Sequence, residues 1–385
     1  MVATAFTILL LALGAIFALF LLALLIGLMR PEGPRTEERP SVTVVVAARN
    51  EERTIRRCVR ALLAQDYPPG KLQIVVVDDR SEDRTAALVE ELVPAHPHLE
   101  LVRVTECPPN WSPKKHAINM GIDRARGEII MCTDADCEPP PTWVTGVVSY
   151  FTPEVGLVTG RSCLVSASSP WLVARLLELD SLAMACVAAG GVGLGVPLTC
   201  TGTNLSYRKK VYQAVGGFAG VEHLLSGDDD LLLHKVGATS WRIRYAWDPR
   251  TVVTSSAPES FAHFGHQRAR HASKGFFYAP WLTALLVAIY FFHCTLLVAV
   301  PLATLGLIAP RALGAGLALA WIPELLLVGF GAARFRRWHL WPLLPLGALL
   351  YIPYVVIFAT WGALGKFSWK GTMARKGVRI AEAET

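Results

Sequence analysis

The sequence predicts an α/β domain with a mostly parallel sheet, flanked at both ends by segments that cross a membrane. Between residues 40 and 275, short continuous apolar runs alternate with helical patterns, which is typical of parallel strands buried on both faces. The chain of 385 residues is 52% hydrophobic and 18% charged, whereas a soluble domain is about 25% charged. The apolar excess lies at the two ends, where we expect membrane helices.

The N-terminal segment is predicted to be a membrane anchor over residues 1–30. No charged residue occurs between Thr4 and Met29, which is long enough to cross a hydrocarbon core of about 30 Å as a helix. The first basic residues follow it at Arg30, Arg35 and Arg39, so we expect the chain after Met29 to be cytoplasmic. A cleaved signal peptide would carry its basic segment before a shorter apolar core.

A second apolar block over residues 280–366 predicts about three further membrane helices. It is interrupted at Pro310-Arg311 and at the basic run 334–337, which gives spans of Trp281 to Ile308, Leu313 to Ala332 and Leu340 to Leu364. Three crossings from the cytoplasm would put the basic tail, residues 367–385, outside. One segment is therefore expected to be re-entrant or interfacial; His293 and Pro301 point to the first. We favour a cytoplasmic tail.

Cysteine content and charge exclude several other classes of function. The eight cysteines form no Cys-x-x-Cys pair, and Cys132 and Cys137 have a spacing that fits no common zinc site. Reduced, buried thiols are expected in a cytoplasmic domain. The net charge of +6 fits a protein at a membrane surface, and no basic stripe indicates a nucleic-acid partner.

The domain over residues 40–275 begins with strands and helices in regular alternation. The strands are predicted at residues 41–48, 72–77, 99–104 and 128–133, and the helices at residues 53–65, 84–92 and 114–125. Residues 169–189 then form an amphipathic helix, which could lie on the membrane surface or face a protein core.

Three of these strands end in polar clusters. The clusters are Asn50-Glu51, Asp78-Asp79 and Asp134-Ala135-Asp136, and ligands bind beyond the carboxyl ends of parallel strands. Two carboxylates one residue apart can reach one divalent cation, although a solvated turn gives the same pattern. No Gly-x-Gly-x-x-Gly turn or Walker lysine loop follows a strand, which disfavours dinucleotide-binding and ATP-hydrolysing proteins.

Six polar motifs follow one another along the domain: Ala47-Ala48-Arg49-Asn50-Glu51-Glu52, Val77-Asp78-Asp79-Arg80-Ser81, Lys114-Lys115-His116-Ala117-Ile118-Asn119, Thr133-Asp134-Ala135-Asp136, Ser226-Gly227-Asp228-Asp229-Asp230 and Gln267-Arg268-Ala269-Arg270. In this order they resemble the signature of membrane-bound family 2 glycosyltransferases, the group with a GT-A fold that includes cellulose, chitin and hyaluronan synthases and ceramide glucosyltransferase.

The resemblance implies a set of residues that bind the nucleoside of a nucleotide sugar. Ala47 and Glu51 would line the uridine pocket, and Asp78 or Asp79 would hydrogen-bond the base or the ribose. Asp78 and Asp79 could instead cap the following helix, for which Asp83 is another candidate.

The resemblance also implies a diphosphate and metal site. Lys114, with Lys115 beside it, corresponds to the basic residue near the diphosphate. Asp136 corresponds to the direct ligand of Mg²⁺ or Mn²⁺, and Asp134 would lie closer to the ribose or sugar while still reaching the metal.

On the acceptor side, the resemblance implies that Asp229 is the general base and that Asp228 takes the place of the family's glutamate. Asp229 could instead belong to an acidic first turn that complements the dipole of a helix over residues 231–236. Gly202 and Thr203 resemble the acceptor-side loop. One base near the acceptor implies inversion at the sugar carbon.

The last motif implies that Gln267 and Arg270 close over the diphosphate. The family's Trp at the fifth position is replaced by His271. That Trp contacts the acceptor sugar in processive synthases, so polymer elongation is less well supported here.

We therefore expect a metal-dependent, inverting glycosyltransferase that uses a nucleotide sugar, most simply a UDP-sugar. The expected acceptor is a membrane lipid or isoprenoid, and the protein is expected in the inner membrane, multi-pass, with its catalytic domain in the cytoplasm. Synthesis of an extracellular polysaccharide and a non-catalytic membrane scaffold that retains the GT-A fold are the alternatives. The sugar, the acceptor and the oligomeric state stay open.

Overall fold

The computed structural model describes residues 1–165, 169–258, 260–369, 372–375 and 378–379, and the chain divides into two units. The membrane unit comprises Met1–Met29, Arg175–Cys186 and Pro258–Thr385, and the sheet unit comprises Arg30–Ala174 and Val187–Ala257. Much of the predicted basic tail, including Lys370 and Lys376, lies outside the described residues.

The described part of the sheet unit forms ten strands. They are β1 Val42–Ala48, β2 Leu72–Asp79, β3 Leu99–Val104, β4 Ile129–Asp134, β5 Cys137–Glu138, β6 Val155–Gly160, β7 Ser162–Val165, β8 Leu205–Arg208, β9 Arg242–Ala246 and β10 Val253–Ser256. Seven of them form one sheet in the order β3-β2-β1-β4-β8-β6-β9, in which only β8 runs antiparallel to its neighbours. The predicted mostly parallel α/β domain is confirmed.

The chain has twelve α-helices among its described residues. They are α1 Val2–Met29, α2 Ile55–Leu63, α3 Thr85–Glu90, α4 Pro113–Arg124, α5 Trp143–Val148, α6 Trp171–Leu194, α7 Lys209–Ala214, α8 Asp230–Gly237, α9 Phe261–Ser273, α10 Pro280–Thr304, α11 Pro310–Arg334 and α12 Leu344–Leu364. After α12, three short strands form an antiparallel sheet: β11 Lys366–Trp369, β12 Thr372–Arg375 and β13 Val378–Arg379.

Both faces of β1 are covered, which explains its continuous apolar sequence. Val44 and Val46 pack into a core with residues of α2 and α5, while Val45 packs on the other face with Ile118 of α4 and Leu232 of α8. A strand buried on both faces has no polar side to alternate with its apolar side. Because β1 pairs in parallel with β2 on one side and β4 on the other, its carboxyl end lies between the carboxyl ends of those two strands.

Among the described residues of the membrane unit, four helices are long and apolar enough to cross a bilayer: Val2–Met29, Pro280–Thr304, Pro310–Arg334 and Trp338–Leu364, the last including a 3₁₀ turn at Trp338–Leu343. α10 is unbroken through His293 and Pro301. Small residues permit close approach: a Cβ on Gly316 would lie 3.1 Å from Leu10 of α1.

Gly362→Ala should destabilise the membrane unit, because a Cβ there would lie 2.7 Å from the Ala269 carbonyl oxygen of α9. Overpacking of this kind costs about 1 to 3 kcal/mol, so the melting temperature of the purified protein should fall. Gly314→Ala is the matched control, since nothing lies within 4 Å of its Cβ position. Equal melting temperatures for the two variants would contradict the α9–α12 packing.

Candidate active site

Three strand ends bring the acidic clusters to one edge of the sheet unit. In the register of β1, Ala48 is opposite Asp78 of β2, and Ala47 is opposite Asp134 of β4. Ala47 is itself only partly buried. The polar residues that follow β1, β2 and β4 are therefore neighbours, as expected of parallel strands in this order.

The loops after β1 and β2 fix each other. Asn50 has a φ of 54°, a left-handed conformation that Asn tolerates better than most residues, and its side-chain oxygen accepts from the Glu82 amide at 2.9 Å. The Glu51 amide donates to the Thr85 hydroxyl at 2.7 Å, and the Glu51 carboxylate accepts from Thr54 at 2.8 Å. Glu51 is thus held in place by its own helix start and by α3.

Asp78 and Asp79 are both buried but have different partners. Asp79 pairs with the guanidinium of Arg80 at 2.9 Å. Asp78 accepts from the Ser81 amide through Oδ2 at 3.4 Å, and its buried Oδ1 has no hydrogen-bond partner among the described residues. The amide at the start of α3 donates to Asp83 instead. A buried acceptor without a hydrogen bond costs about 1 to 3 kcal/mol of folding stability. Asp78 is therefore the member of the pair better suited to accept a hydrogen bond from a bound ligand.

Asp136 lies near two other acidic side chains, Asp134 and Glu51. Its Oδ2 accepts from the Ser255 hydroxyl at 3.1 Å, and the Cys137 thiol donates to its Oδ1 at 3.5 Å. Burial, with the charges of Asp134 and Glu51, raises the pKa of Asp136 to about 6. Crowded carboxylates of this kind are the donor set that Mg²⁺ and Mn²⁺ prefer.

The described residues contain no group of three or more His, Cys, Asp or Glu side chains placed to hold a metal ion. Asp134 and Asp136 are a pair of carboxylates, close enough for the charge of Asp134 to raise the pKa of Asp136. This fits Mg²⁺ or Mn²⁺ ions that take part of their coordination from water and from phosphate oxygens.

Lys114 joins the two halves of the site. Its ammonium lies 2.9 Å from Asp134 Oδ1 and 3.1 Å from Asp228 Oδ2. Gly202 lies against this pair, because a Cβ on it would be 3.2 Å from Asp228 Oδ2 and 3.7 Å from the Lys114 nitrogen. Beside Gly202, the Thr203 hydroxyl shares a hydrogen bond with that of Thr201 at 2.8 Å.

The three consecutive aspartates have three different environments. Asp228 is buried against Lys114. Asp230 is buried and accepts from the Thr199 hydroxyl at 3.0 Å and from the Cys200 amide at 2.8 Å. Asp229 caps α8 by accepting from the Asp230 amide at 2.8 Å, and it is the partly exposed member of the three. It is therefore the most solvent-accessible of the three aspartates.

Lys115 has a structural set of contacts. Its ammonium is buried and donates to the carbonyls of Val221, Leu224 and Ser226 at 2.7, 2.7 and 2.8 Å. All three of its hydrogens can be used by these acceptors. Lys115 thus holds the segment that leads into Asp228, whereas Lys114 contacts the carboxylates themselves.

Two residues that the motifs do not include support the site. Ser255 reaches Asp136 because the second, three-stranded sheet pairs β10 with β5. Asn204 is buried, accepts from the Trp143 indole at 2.9 Å and donates to the carbonyls of Arg161 and Thr251. Nothing in the local sequence predicts Ser255, since its contact depends on strand pairing across the fold.

The residues of the last motif lie on α9 in the membrane unit. Gln267 is partly exposed, Arg270 is buried, and one Arg270 nitrogen lies 3.3 Å from His271 Nε2. Their neighbour Arg268 pairs with Asp180 of α6 and stacks on Phe264 at 4.8 Å.

Asp136→Asn should stabilise the protein at pH 7.5 in the absence of metal. Because the pKa of Asp136 rises from 3.8 to about 6 on folding, the native state binds more protons than the unfolded state between these values. Stability from this group is therefore present at low pH and is lost as the pH rises through about 6. The variant should gain about 1 to 3 kcal/mol at pH 7.5 and little at pH 4.

Thermal unfolding at both pH values measures this difference. Glu106→Gln, at an exposed position, is the control that should change nothing. An Asp136→Asn protein that melts below the parent at pH 7.5 would show that the carboxylate is already compensated.

Comparison with known proteins agrees with this geometry. The model of the family described as "Glycosyl transferase family 2" matches residues 43–216. A probable glycosyltransferase of Bacillus subtilis (strain 168), YdaM, is 28% identical over 239 residues, which is 61% of this chain and 55% of the relative. A beta-monoglucosyldiacylglycerol synthase of Synechocystis is 28% identical over 242 residues, with 62% and 48% covered. The chain spans about half the length of the curated relatives it matches.

Among solved structures, the mannosyltransferase PcManGT from Pyrobaculum calidifontis, in complex with GDP-Man and Mn²⁺, has a TM-score of 0.56 and 24% identity, and the match covers 91% of this chain and 99% of that one. This likeness shows a shared fold, which is of the GT-A type, as expected from the sequence. Residues 43–216 are therefore a glycosyl transferase family 2 domain.

Proposed function

We propose that this protein is an inverting, metal-dependent glycosyltransferase that moves a sugar from a UDP-sugar to a membrane lipid. The observation that carries the proposal is the contact of Lys114 with both Asp134 and Asp228. The ammonium of Lys114 joins Asp134, which is assigned to the donor side, to Asp228, which is assigned to the acceptor side.

The donor's nucleoside is assigned to the ends of β1 and β2. Ala47 and Glu51 border the nucleoside position, and the unused Oδ1 of Asp78 is suited to accept a hydrogen bond from the base or ribose. Asp79, neutralised by Arg80, shapes this position instead of binding the donor directly. Gln267 and Arg270 of α9 are assigned to the diphosphate, for which a planar guanidinium suits two oxygens at once.

Asp136 and Asp134 are assigned to a Mg²⁺ or Mn²⁺ ion. When bound, such an ion stabilises the negative charge that develops on the nucleoside diphosphate as the sugar leaves. Lys114 supports the same change, because its ammonium can exchange its contact with Asp134 for a diphosphate oxygen. The relative solved with GDP-Man and Mn²⁺ has the same fold and makes a GDP-sugar the second donor to test.

Asp229 is assigned as the general base. Its carboxylate takes the proton of the acceptor hydroxyl, the hydroxyl oxygen bonds to the sugar's anomeric carbon, and the bond from that carbon to the diphosphate oxygen breaks. A single displacement inverts the anomeric carbon, so an α-linked donor gives a β-linked product. Asp228, Gly202, Thr203 and His271 are assigned to the acceptor side.

A lipid acceptor fits the apolar helices and the relative named as a glucosyldiacylglycerol synthase. His271 in place of the family's Trp makes elongation of a polysaccharide the less well supported alternative. We place the sheet unit in the cytoplasm at the inner membrane, because Arg30, Arg35 and Arg39 follow α1 directly.

The purified full-length protein, given Mn²⁺, lipid extract and a panel of radiolabelled UDP- and GDP-sugars, should form a chloroform-soluble product. Removal of the metal should abolish it. Asp229→Asn should reduce turnover by about 100-fold or more while donor binding, measured by calorimetry, is retained. Asp123→Asn, at an exposed position on α4, is the matched control with normal turnover.

Each other outcome rejects a specific part of the proposal. An ethanol-insoluble product would mean a polysaccharide acceptor. Turnover that survives Asp229→Asn would remove the base assignment. Absence of metal-dependent binding for every nucleotide sugar in the panel would favour a non-catalytic scaffold.

A further inference from the structure

The path of α10 and α11 defines two sides of the membrane unit. The two helices have 25 residues each, about 37 Å of helix, and only residues 305–309 connect them. They pack side by side, since a Cβ on Gly316 would lie 3.2 Å from Leu296. A hairpin of two crossing helices returns the chain to its starting side, so α11 ends on the side where α10 begins.

The start of α12 stays on that side. Leu344, its first residue, lies 3.6 Å from the Cβ position of Gly329, close to the end of α11 at Arg334. The 3₁₀ turn between them, Trp338–Leu343, is too short to cross a bilayer.

The end of α12 lies on the same side again. A Cβ on Gly265 of α9 would lie 2.6 Å from Trp361, and one on Gly362 would lie 2.7 Å from the Ala269 carbonyl oxygen of α9. Just beyond α12, the Ser368 amide donates to His266 of α9 at 3.3 Å. Since α9 ends at Ser273 and α10 begins at Pro280, α9 lies where α10 enters the membrane.

Ion pairs on α6 connect the same two places independently. Glu178 lies 3.5 Å from the Arg337 guanidinium and 3.1 Å from His339 Nε2, both just after α11. Two residues along α6, Asp180 pairs with Arg268 of α9. A separation of two residues on a helix is about 3 Å of rise, so the end of α11 and the middle of α9 cannot lie on opposite sides of a bilayer.

The contacts of α12 with α10 show a steep inclination between the two helices. Tyr290 hydrogen-bonds Thr360 at 2.9 Å, and His293 packs edge-to-face against Tyr351 with ring centroids 5.5 Å apart. Residues 290 and 293 differ by about 4.5 Å along α10, whereas residues 351 and 360 differ by about 13 Å along α12. Helices that crossed the bilayer side by side would advance equally.

We propose that α12 does not cross the membrane but lies within the leaflet on the side where α10 begins. Its exposed side chains would contact the acyl chains of that leaflet: Leu349, Leu350, Ile357 and Leu364 are 53%, 44%, 56% and 64% exposed. The helices of the described part of the chain then cross three times, at α1, α10 and α11. The chain just after α12, described at Lys366–Trp369, then lies on the side of α9, and a basic residue on the cytoplasmic side agrees with the positive-inside rule.

This assignment differs from the expectation that the first segment of the block is the re-entrant one. α10 is a continuous helix, and the segment that turns back is the last. The assignment also explains what α12 does, because Gly265 and Gly362 fasten α9 to a helix embedded in lipid. If the proposed function holds, on which this one consequence rests, then Gln267, Arg270 and His271 are presented at the leaflet that supplies a lipid acceptor.

The number of crossings after α10 can be tested by cysteine accessibility in the full-length chain, without any activity. One protein carries Leu305→Cys, at a residue 72% exposed between α10 and α11. A second carries a cysteine added after Thr385. A membrane-impermeant maleimide is applied to intact and to permeabilised cells, with the parent protein as the background for its eight cysteines.

The two positions should be labelled from opposite sides of the membrane: one in intact cells and the other only after permeabilisation. Labelling of both from the same side would mean that α12 crosses, and would overturn the proposal. Leu307→Cys, 57% exposed, repeats the test if the first variant does not accumulate. Because the comparison is relative, it holds for either orientation of the chain and is independent of whether the protein transfers a sugar.

Discussion

The ammonium of Lys114 is the contact on which the candidate site depends. It lies about 3 Å from Asp134, at the end of β4, and from Asp228, just before α8. These carboxylates come from distant parts of the sequence, and both belong to an edge already crowded with acidic groups. Without a cation between them they would repel each other at short range. Lys114 therefore sets the distance between the region assigned to the donor and the region assigned to the acceptor.

Lys115 and Asp230, which lie close in sequence to Lys114 and Asp228, fix the backbone segments near this contact. Lys115 fixes three carbonyls of the segment before Asp228, and Asp230 fixes the segment before Gly202. At the other end of the site, burial and the charges of Asp134 and Glu51 disfavour the ionised form of Asp136 and raise its pKa. Strain of this kind is common at functional sites, where it costs stability and favours a ligand of opposite charge.

The sequence predicts the sheet well because continuous apolar runs are typical of strands buried on both faces, and β1 to β4 are such strands. It does not separate Lys114 from Lys115, since neighbouring side chains on a helix point about 100° apart and only the fold shows what each one meets. It does not order Asp228, Asp229 and Asp230 either, because their partners come from distant parts of the chain. The sequence also does not predict the path of α12, because hydropathy measures the length of an apolar segment and not its direction. There the packing of Gly362 on α9 supplies the missing information.

A double-mutant cycle between Lys114 and Asp228 tests most directly whether their contact unites the two halves of a working site. The values of kcat/KM for Lys114→Met, Asp228→Asn and the double variant would be measured with the donor that the panel identifies. We expect each single change to lower kcat/KM by at least 10-fold, and the double change to cost much less than the product of the two. Independent, multiplying losses would contradict the account.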